Sequence, residues 1–154
     1  QDPTSSLNPA LRVGGQLAEV ATLHDGATRT EARARAVERL DRVRIKHPAD
    51  VAKRYPHELS GGMRQRAVIA MGLMNTPRLI IADEPTTALD VTVQREVLRV
   101  LREAVDETQA GALFISHDIA VVSELCDRIA VMYAGRIVEE LPADALHYAR
   151  HPYT

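Results

Sequence analysis

The chain has 154 residues, 45% of them apolar and 26% charged, a balance typical of a globular domain and not of a disordered or fibrous protein. Its formal net charge of −2 gives no general electrostatic reason to expect a nucleic-acid partner. The single cysteine, Cys126, excludes an internal disulfide and a cysteine-rich metal site, and no apolar run approaches the roughly 18 residues that a membrane-spanning helix needs. These features favour a reducing cytoplasm. Because Gln1 is not preceded by a methionine or a leader, we expect a piece of a longer protein.

The first predicted helix is rich in arginine. Thr30 can cap it, it runs to about Ile45, and Val37 and Leu40 lie on its apolar side. Its charged residues are Arg29, Glu31, Arg33, Arg35, Glu38, Arg39, Asp41, Arg42 and Arg44. This run is either a solvated helix face, with pairs such as Glu38 and Arg42 four residues apart, or a docking surface for a partner protein. We favour the solvated face.

Ser60 is predicted to cap a second helix. Its apolar residues recur at spacings of three and four until Asn75-Thr76-Pro77 ends the helix. They are Met63, Ala67, Ala70, Met71 and Met74. Gly61 and Gly62 follow the cap directly, although glycine in a helix costs up to about 1 kcal/mol relative to alanine. Bare backbone at a helix start, beside the Ser60 hydroxyl, lets a phosphate approach closely. The alternative is a serine cap after a glycine turn, with no ligand.

Beyond Pro77, strands and helices alternate, which predicts an α/β fold. Arg78 to Asp83 is a short apolar run ending in an acid, typical of a buried parallel strand. The further predicted elements are a helix from Val91 to Thr108, a strand from Leu113 to Ser116, a helix from Ile119 to Cys126, and a hairpin of Arg128–Tyr133 and Arg136–Glu139 joined through Ala134-Gly135. The residues of the long helix expected to face inward are Val93, Val97, Val100, Leu101 and Val105.

Chemistry-bearing side chains follow two of the predicted strands. Asp83 and Glu84 end the first strand, so that one carboxylate can hold Mg²⁺ through its water shell and the other can orient or deprotonate an attacking water. His117 follows the next strand and would reach the same sheet edge, where it could contact a γ-phosphate. The alternatives are a solvated acidic loop and a structural histidine.

Two other features are interpreted as structural. His147 and His151 lie four residues apart, but Pro152 follows at once and no third ligand is evident, so we do not favour a metal site. Cys126 is predicted to be a small buried side chain on the apolar side of its helix.

Five motifs, read in chain order, resemble those of the ATP-binding-cassette (ABC) ATPases. They are Gln1-Asp2-Pro3 with Ser6-Leu7-Asn8-Pro9, the segment from Tyr55 to Arg66, the segment from Ala82 to Val93, Ile115-Ser116-His117-Asp118, and the final His151-Pro152-Tyr153-Thr154. Within that family the chain is most similar to the ATPase subunits of bacterial peptide and nickel importers, of the dipeptide/oligopeptide D-type. The resemblance implies part of a P-loop NTPase fold, with the Q-loop and a helical subdomain over residues 1–76 and the C-terminal part of a RecA-like core over residues 77–154.

The resemblance also implies a role for each motif residue. Gln1 corresponds to the Q-loop glutamine, which senses Mg²⁺ and the attacking water. Ser60, Gly61 and Gly62 correspond to the signature motif, which contacts the γ-phosphate of ATP held by a second subunit. Asp83 corresponds to the Walker B aspartate, which binds Mg²⁺, and Glu84 to the catalytic glutamate. Ala88-Leu89-Asp90 corresponds to the D-loop, and His117 to the switch histidine. Met63 stands where many members have glutamine, with no loss expected. ATP, Mg²⁺, a second ATPase subunit and membrane permease subunits are therefore expected, at the cytoplasmic face of the membrane.

One family element is missing from the sequence: there is no G-x-x-x-x-G-K-[ST] phosphate loop. We therefore expect this chain alone to bind ATP weakly or not at all and to be inactive. We also expect apolar strand edges to be left uncovered and to favour self-association. Two other functions stay open. One is a cassette ATPase not connected with transport, which would be indicated by a coiled-coil insertion or a basic arm. The other is a non-catalytic interaction module.

Overall fold

The computed structural model describes residues 6–87 and 89–154, so Gln1 and Ala88 lie outside the described residues. The helices are α1 (Val13–Asp25), α2 (Arg29–Arg42), α3 (Pro48–Val51), α4 (Gly61–Gly72), α5 (Val91–Thr108) and α6 (Ile119–Leu125). The strands are β1 (Leu79–Asp83), β2 (Gly111–Ile115), β3 (Arg128–Tyr133) and β4 (Arg136–Pro142), and short 3₁₀ helices cover Pro56–Glu58 and Ala143–Tyr148. The predicted α/β class is confirmed. None of the helices in residues 6–87 and 89–154 is long and apolar enough to cross a membrane.

The start of α2 corrects the sequence prediction. Thr28, not Thr30, is the N-cap: its hydroxyl oxygen accepts the Glu31 N–H at 3.4 Å, and the Glu31 carboxylate accepts the Thr28 N–H at 2.9 Å. This reciprocal capping box begins two residues earlier than the cap assumed from sequence. The Thr28 hydroxyl and then its backbone N–H lower the pKa of Glu31. At the other end α2 stops at Arg42 instead of Ile45, since the backbone turns left-handed at Arg44.

The starts of α4 and α5 agree with prediction. Ser60 caps α4, and its Oγ accepts the Met63 N–H at 3.3 Å. Asp90 caps α5. Of the residues expected to face inward, Ala67, Ala70, Met74, Val97, Val100 and Leu101 are buried, whereas Met63, Met71, Val93 and Val105 are half-buried.

Strands β1 and β2 are neighbours in a parallel, two-stranded sheet, as the alternating pattern predicted. The prediction that the strand ending at Asp83 is buried is wrong. Leu79 and Ile81 on β1 are 56% and 62% exposed, and Leu113 and Ile115 on β2 are 52% and 45% exposed. The reason is that this sheet has only two strands in the described part of the chain. The expectation of uncovered apolar strand surface is thus confirmed.

The chain divides into two compact units. The first comprises Gln1–Ile80 and Pro85–Ala112, and the second Ile81–Glu84 and Leu113–Thr154. The first unit has an extensive core, built where α1, α2, α4 and α5 pack together. Its largest fully buried side chains are Leu7, Val13, Leu17, Leu40, Val43, Ile45, Met74, Val97 and Val100.

The second unit contains the predicted terminal hairpin. β3 and β4 are antiparallel, with Arg128 opposite Pro142 and Tyr133 opposite Arg136. Ala134 and Gly135 both have positive φ at the turn, the geometry that tight hairpins favour. Strand β4 continues past the predicted end at Glu139. Among the described hydrophobic residues of this unit, only Ile129 and Leu141 are buried.

Candidate functional site

The structure brings Glu84 and His117 into direct contact at the ends of β1 and β2. The Glu84 N–H donates to the Ile115 carbonyl at 2.9 Å, which fixes the turn after β1 against the end of β2. His117 Nδ1 lies 2.7 Å and 3.0 Å from the two carboxylate oxygens of Glu84. The carboxylate and the imidazole therefore form one hydrogen-bonded pair at this strand edge.

The backbone at Glu84 is in a costly conformation. Its φ is +48°, in the left-handed region that non-glycine residues seldom adopt. Such a residue costs about 1–3 kcal/mol and persists where the surrounding structure holds it, most often at functional sites. Pro85 follows and restricts the backbone of Glu84 further. The hydrogen bonds to Ile115 and His117 hold the carboxylate in place despite this cost.

The electrostatics of the pair keep the imidazole protonated to higher pH. The hydrogen bond to Glu84 and then the negative charge of Glu84 raise the pKa of His117. The His117 side chain is 81% exposed, whereas that of Glu84 is 32% exposed. The carboxylate is thus the more enclosed partner, and the histidine is the one that solvent or a ligand reaches more freely.

Asp83 is the last residue of β1 and is half-buried. Mg²⁺ is usually held by one or two carboxylates, water and substrate phosphates, so the adjacent carboxylates of Asp83 and Glu84 have the donor chemistry that this ion prefers. No group of three or more histidine, cysteine or acidic side chains that could hold a metal is found in residues 6–87 and 89–154.

The signature segment Ser60-Gly61-Gly62 lies at the start of α4. Ser60 is exposed and accepts the Met63 N–H through Oγ, so its hydroxyl proton can still be donated to an anion. A helix start also presents N–H groups that have no partner within the helix. Gly62 itself is buried. A Cβ added to it would lie 2.3 Å from Cγ1 of Val93, whereas one added to Gly61 would meet Cδ2 of Leu89 at 3.7 Å.

Asp90 has a structural contact that the sequence did not predict. Its Oδ1 accepts the N–H groups of Thr92 at 3.1 Å and of Val93 at 3.0 Å and so caps α5. Its predicted place in the nucleotide site stays a prediction. Gln1 and Ala88, which the resemblance assigns to the Q-loop and the D-loop, lie outside the described residues.

The arginine-rich run pairs with carboxylates of the first unit itself. Arg42 lies 2.8 Å from Glu107, and Arg44 lies 2.5 Å from Glu103. Arg35 pairs with Asp25. These contacts agree with the solvated helix face that we favoured. Sequence reasoning missed the acidic partners, although their spacing along one face of α5 was a usable signal.

Arg66 was also missed. Its side chain is 14% exposed and its Nη1 lies 3.2 Å from the Glu96 carboxylate. The same side chain donates to the carbonyls of Gly62 at 3.3 Å and of Arg44 at 2.8 Å. An arginine among the apolar positions of α4 is the sequence signal that could have drawn attention to it.

The remaining candidates have ordinary surroundings. His147 lies against the ring of Tyr148, with ring centroids 4.0 Å apart. His151 Nδ1 accepts the Tyr153 N–H at 3.2 Å. Cys126 is half-buried and directly follows the end of α6, whereas the sequence predicted a buried side chain within the helix.

Comparisons with known proteins agree with the motifs. Residues 1–87 match the ABC transporter family model. The whole chain is 52% identical to a probable D,D-dipeptide transport ATP-binding protein, DdpD, of Escherichia coli and 50% identical to the oligopeptide transport ATP-binding protein OppD of Bacillus subtilis. It spans 47% and 43% of the lengths of these two relatives.

Solved structures show the same fold. A dimeric ATP-binding cassette in a post-hydrolysis state, bound to ADP and Pi, superposes with a TM-score of 0.78 at 30% identity, covering 93% of this chain and 60% of that one. The cbiO1 protein of Clostridium perfringens, described as part of the ABC transporter complex cbiONQ, gives a TM-score of 0.81 at 28% identity, with 96% and 57% coverage. The α/β fold is therefore that of part of an ABC cassette, and the chain belongs to the ABC transporter family.

Proposed function

We propose that this chain supplies the signature and the hydrolytic carboxylate of an ATPase that powers import of peptides, or alternatively of nickel. The observation that carries the proposal is the contact between Glu84 and His117, which joins a carboxylate and an imidazole at the ends of neighbouring parallel strands. The relatives named for dipeptide and oligopeptide transport support the peptide assignment.

In this proposal Glu84 acts on the water that attacks the γ-phosphorus of ATP. Its carboxylate accepts a hydrogen bond from that water and takes up its proton as the new oxygen–phosphorus bond forms and the bond to ADP breaks. His117 holds the carboxylate through Nδ1 and can turn toward the phosphate because its ring is largely exposed. Mg²⁺ held with the help of Asp83 would neutralise charge on the phosphate oxygens.

The signature segment would act on a second nucleotide, held by another ATPase subunit. Ser60 can donate its hydroxyl proton, and the backbone of Gly61 and Gly62 lets phosphate oxygens reach the N–H groups of the helix start. Asp90 and the neighbouring Ala88 would belong to the D-loop, and Gln1 to the Q-loop. The dimeric cassette among the similar structures supports pairing with a second subunit.

Membrane permease subunits complete the proposed assembly, at the cytoplasmic face of the membrane. The description of cbiO1 as part of a transporter complex supports such a partner. We further propose the functional division made from the sequence, with a helical subdomain over residues 1–76 and the C-terminal part of a RecA-like core over residues 77–154. The missing phosphate loop implies that these 154 residues alone bind ATP weakly.

A chimera tests this proposal. Residues 1–154 replace the aligned segment of the Escherichia coli dipeptide relative, an ATP-binding protein whose remaining half we expect to supply the phosphate loop. We expect the chimera to hydrolyse Mg-ATP and the 154-residue chain to show neither binding by calorimetry nor turnover. A Ser60→Ala variant of the chimera should lose most of its activity, whereas Ser123→Ala, in α6, serves as the matched control. A chimera that folds and binds ATP without hydrolysing it would contradict the proposal.

We also propose that the chain by itself self-associates through its apolar strand surface. Leu79, Ile81, Leu113 and Ile115 alternate along β1 and β2 and are all about half exposed. Uncovered strands with such side chains favour pairing with another chain. Sedimentation velocity over a range of concentrations tests this, and a monomer at all concentrations would contradict it.

A further inference from the structure

The second glycine of the signature packs directly against the start of α5. A Cβ at position 62 would lie 2.3 Å from Cγ1 of Val93, and 3.6 Å and 3.7 Å from its Cβ and Cγ2. Side-chain carbons do not approach within 3.0 Å of each other in real proteins. The isopropyl group of Val93 therefore occupies the space that any other residue at position 62 would need.

Val93 cannot easily give way. A valine in a helix strongly prefers one χ1 rotamer, because its branched Cβ meets the preceding turn in the others. Its backbone is also held, since the Val93 N–H donates to the Asp90 carboxylate at 3.0 Å. The valine is thus a stiff group on a capped helix start, and the contact with Gly62 has a fixed geometry.

The backbone of Gly62 is also held in place, by a hydrogen bond. The Gly62 carbonyl accepts a hydrogen bond from Nε of Arg66 at 3.3 Å. The same guanidinium lies 3.2 Å from the carboxylate of Glu96, three residues after Val93 on α5. The steric contact and this polar bridge connect the first turn of α4 to the first turns of α5.

Gly61 gives an internal comparison. A Cβ at position 61 would meet only Cδ2 of Leu89, at an ordinary contact distance of 3.7 Å. Both glycines would leave room for a phosphate, but only Gly62 is needed by the packing of the chain itself. The need for a glycine at position 62 therefore has a cause inside the chain.

We propose that Val93 is a positioning residue for the signature segment: it seats on the bare Cα of Gly62 and fixes the direction of the N–H groups at the start of α4. The signature and the Asp90-capped start of α5 then present one rigid surface to the nucleotide. The mechanical part of this inference stands on packing alone, and its catalytic consequence rests on the proposed function.

Three variants of the 154-residue chain test the packing. Gly62→Ala should lower the midpoint of thermal unfolding by about 3 °C or more, as overpacking does in chains of this size. Val93→Ala in the Gly62→Ala background should restore at least half of that loss by removing the clashing methyl groups. Gly61→Ala, the matched control, should change the midpoint by less than Gly62→Ala does. A double variant no more stable than Gly62→Ala would overturn the steric contact.

Amide NMR spectra test the positioning role. Val93→Ala should move the ¹H–¹⁵N signals of Gly61, Gly62 and Met63, because the signature turn loses its support. Val93→Thr keeps the branched shape and should leave these three signals near their original positions. Unmoved signals in Val93→Ala would contradict a positioning role even if the variant were less stable.

The active chimera tests the consequence for turnover. Val93→Ala should lower kcat about tenfold while the KM for ATP changes by less than about twofold, since the phosphate loop still binds the nucleotide. Val93→Thr should restore kcat. An unchanged kcat in Val93→Ala would overturn the catalytic consequence. An inactive chimera would instead count against the proposed function, because the unfolding and NMR results require no nucleotide.

Discussion

The two compact units of the chain bury their apolar residues to very different extents. The first unit has a continuous core in which Leu17 and Leu40 are fully buried. In the second, Ile129 and Leu141 are the only buried hydrophobic residues among those described, and Ile81, Leu113 and Ile115 are exposed. The signature segment therefore lies in a well-packed unit, whereas Glu84 and His117 lie in a thinly packed one.

The difference teaches that apolar pattern and burial are separate properties. The pattern of β1 is that of a buried strand, but a strand is buried only if other elements cover both its faces. In the first unit the helices cover one another. In the second, the apolar side chains of the strands are available for contact with further polypeptide.

The largest effect should distinguish the cores of the two units. Leu40→Ala removes a fully buried side chain and should cost about 2–5 kcal/mol of unfolding free energy. Leu113→Ala removes a half-exposed one and should cost less than about 1 kcal/mol. Urea unfolding followed by circular dichroism measures both. Equal losses of unfolding free energy in the two variants would contradict the difference in packing between the two units.

A charge on the strand surface should reduce self-association. Ile81→Lys places an ammonium group on the exposed face of β1 and should weaken association at least tenfold, about 1.4 kcal/mol, in sedimentation experiments. Tyr148→Lys changes a still more exposed aromatic residue of the same unit, 74% exposed against 62% for Ile81, and is the control. If both variants associate alike, β1 is not the surface involved.

The stability of the first unit should depend on the N-cap of α2. Thr28→Ala removes the capping box of α2 and should cost about 1 kcal/mol of unfolding free energy. Thr30→Ala, at the cap position assumed from sequence, should change the stability by less than about 0.5 kcal/mol. If urea unfolding showed a larger loss of stability for Thr30→Ala than for Thr28→Ala, Thr30 would be the N-cap, as the sequence analysis assumed.

The smallest effect is electrostatic and belongs to the second unit. NMR titration should give His117 a pKa above its ordinary value, and Glu84→Gln should lower that pKa because it removes the negative charge and weakens the hydrogen bond. Since the pKa is raised, the attraction between imidazolium and carboxylate is present at low pH and is lost as pH rises through that pKa. Asp118→Asn, which keeps the cap of α6, should lower the pKa less. An equal or larger drop in Asp118→Asn would contradict the assigned cause.

Much of the fold could be predicted because its signals are local. The cap at Ser60, the bounds of α5 and the hairpin turn at Ala134-Gly135 each follow from a few neighbouring residues. The placement of His117 at the same sheet edge as Glu84 also followed from the sequence, because parallel strands end at the same edge, but their hydrogen bond was not predicted.

What could not be predicted depends on distant partners. Helix α1 was not recognised as a separate element, because Gly14 and Gly15 interrupt its apolar pattern. Its packing explains Gly14, since a Cβ there would lie 2.7 Å from Cβ of Ala52. The contact of Gly62 with Val93 likewise could not be predicted, because the sequence offered only a phosphate or a glycine turn as the reason for the two glycines. Thr28 and Thr30 both precede plausible helix positions, and only the hydrogen bonds of Glu31 decide between them.

The most direct test of the central claim is single-turnover hydrolysis of Mg-ATP by the chimera with and without Glu84→Gln. The account predicts a rate at least about a hundredfold lower for the variant, the usual contribution of a general base, with nucleotide binding retained. A Glu84→Gln chimera that binds ATP and hydrolyses it at the unmodified rate would show that Glu84 is not the hydrolytic carboxylate.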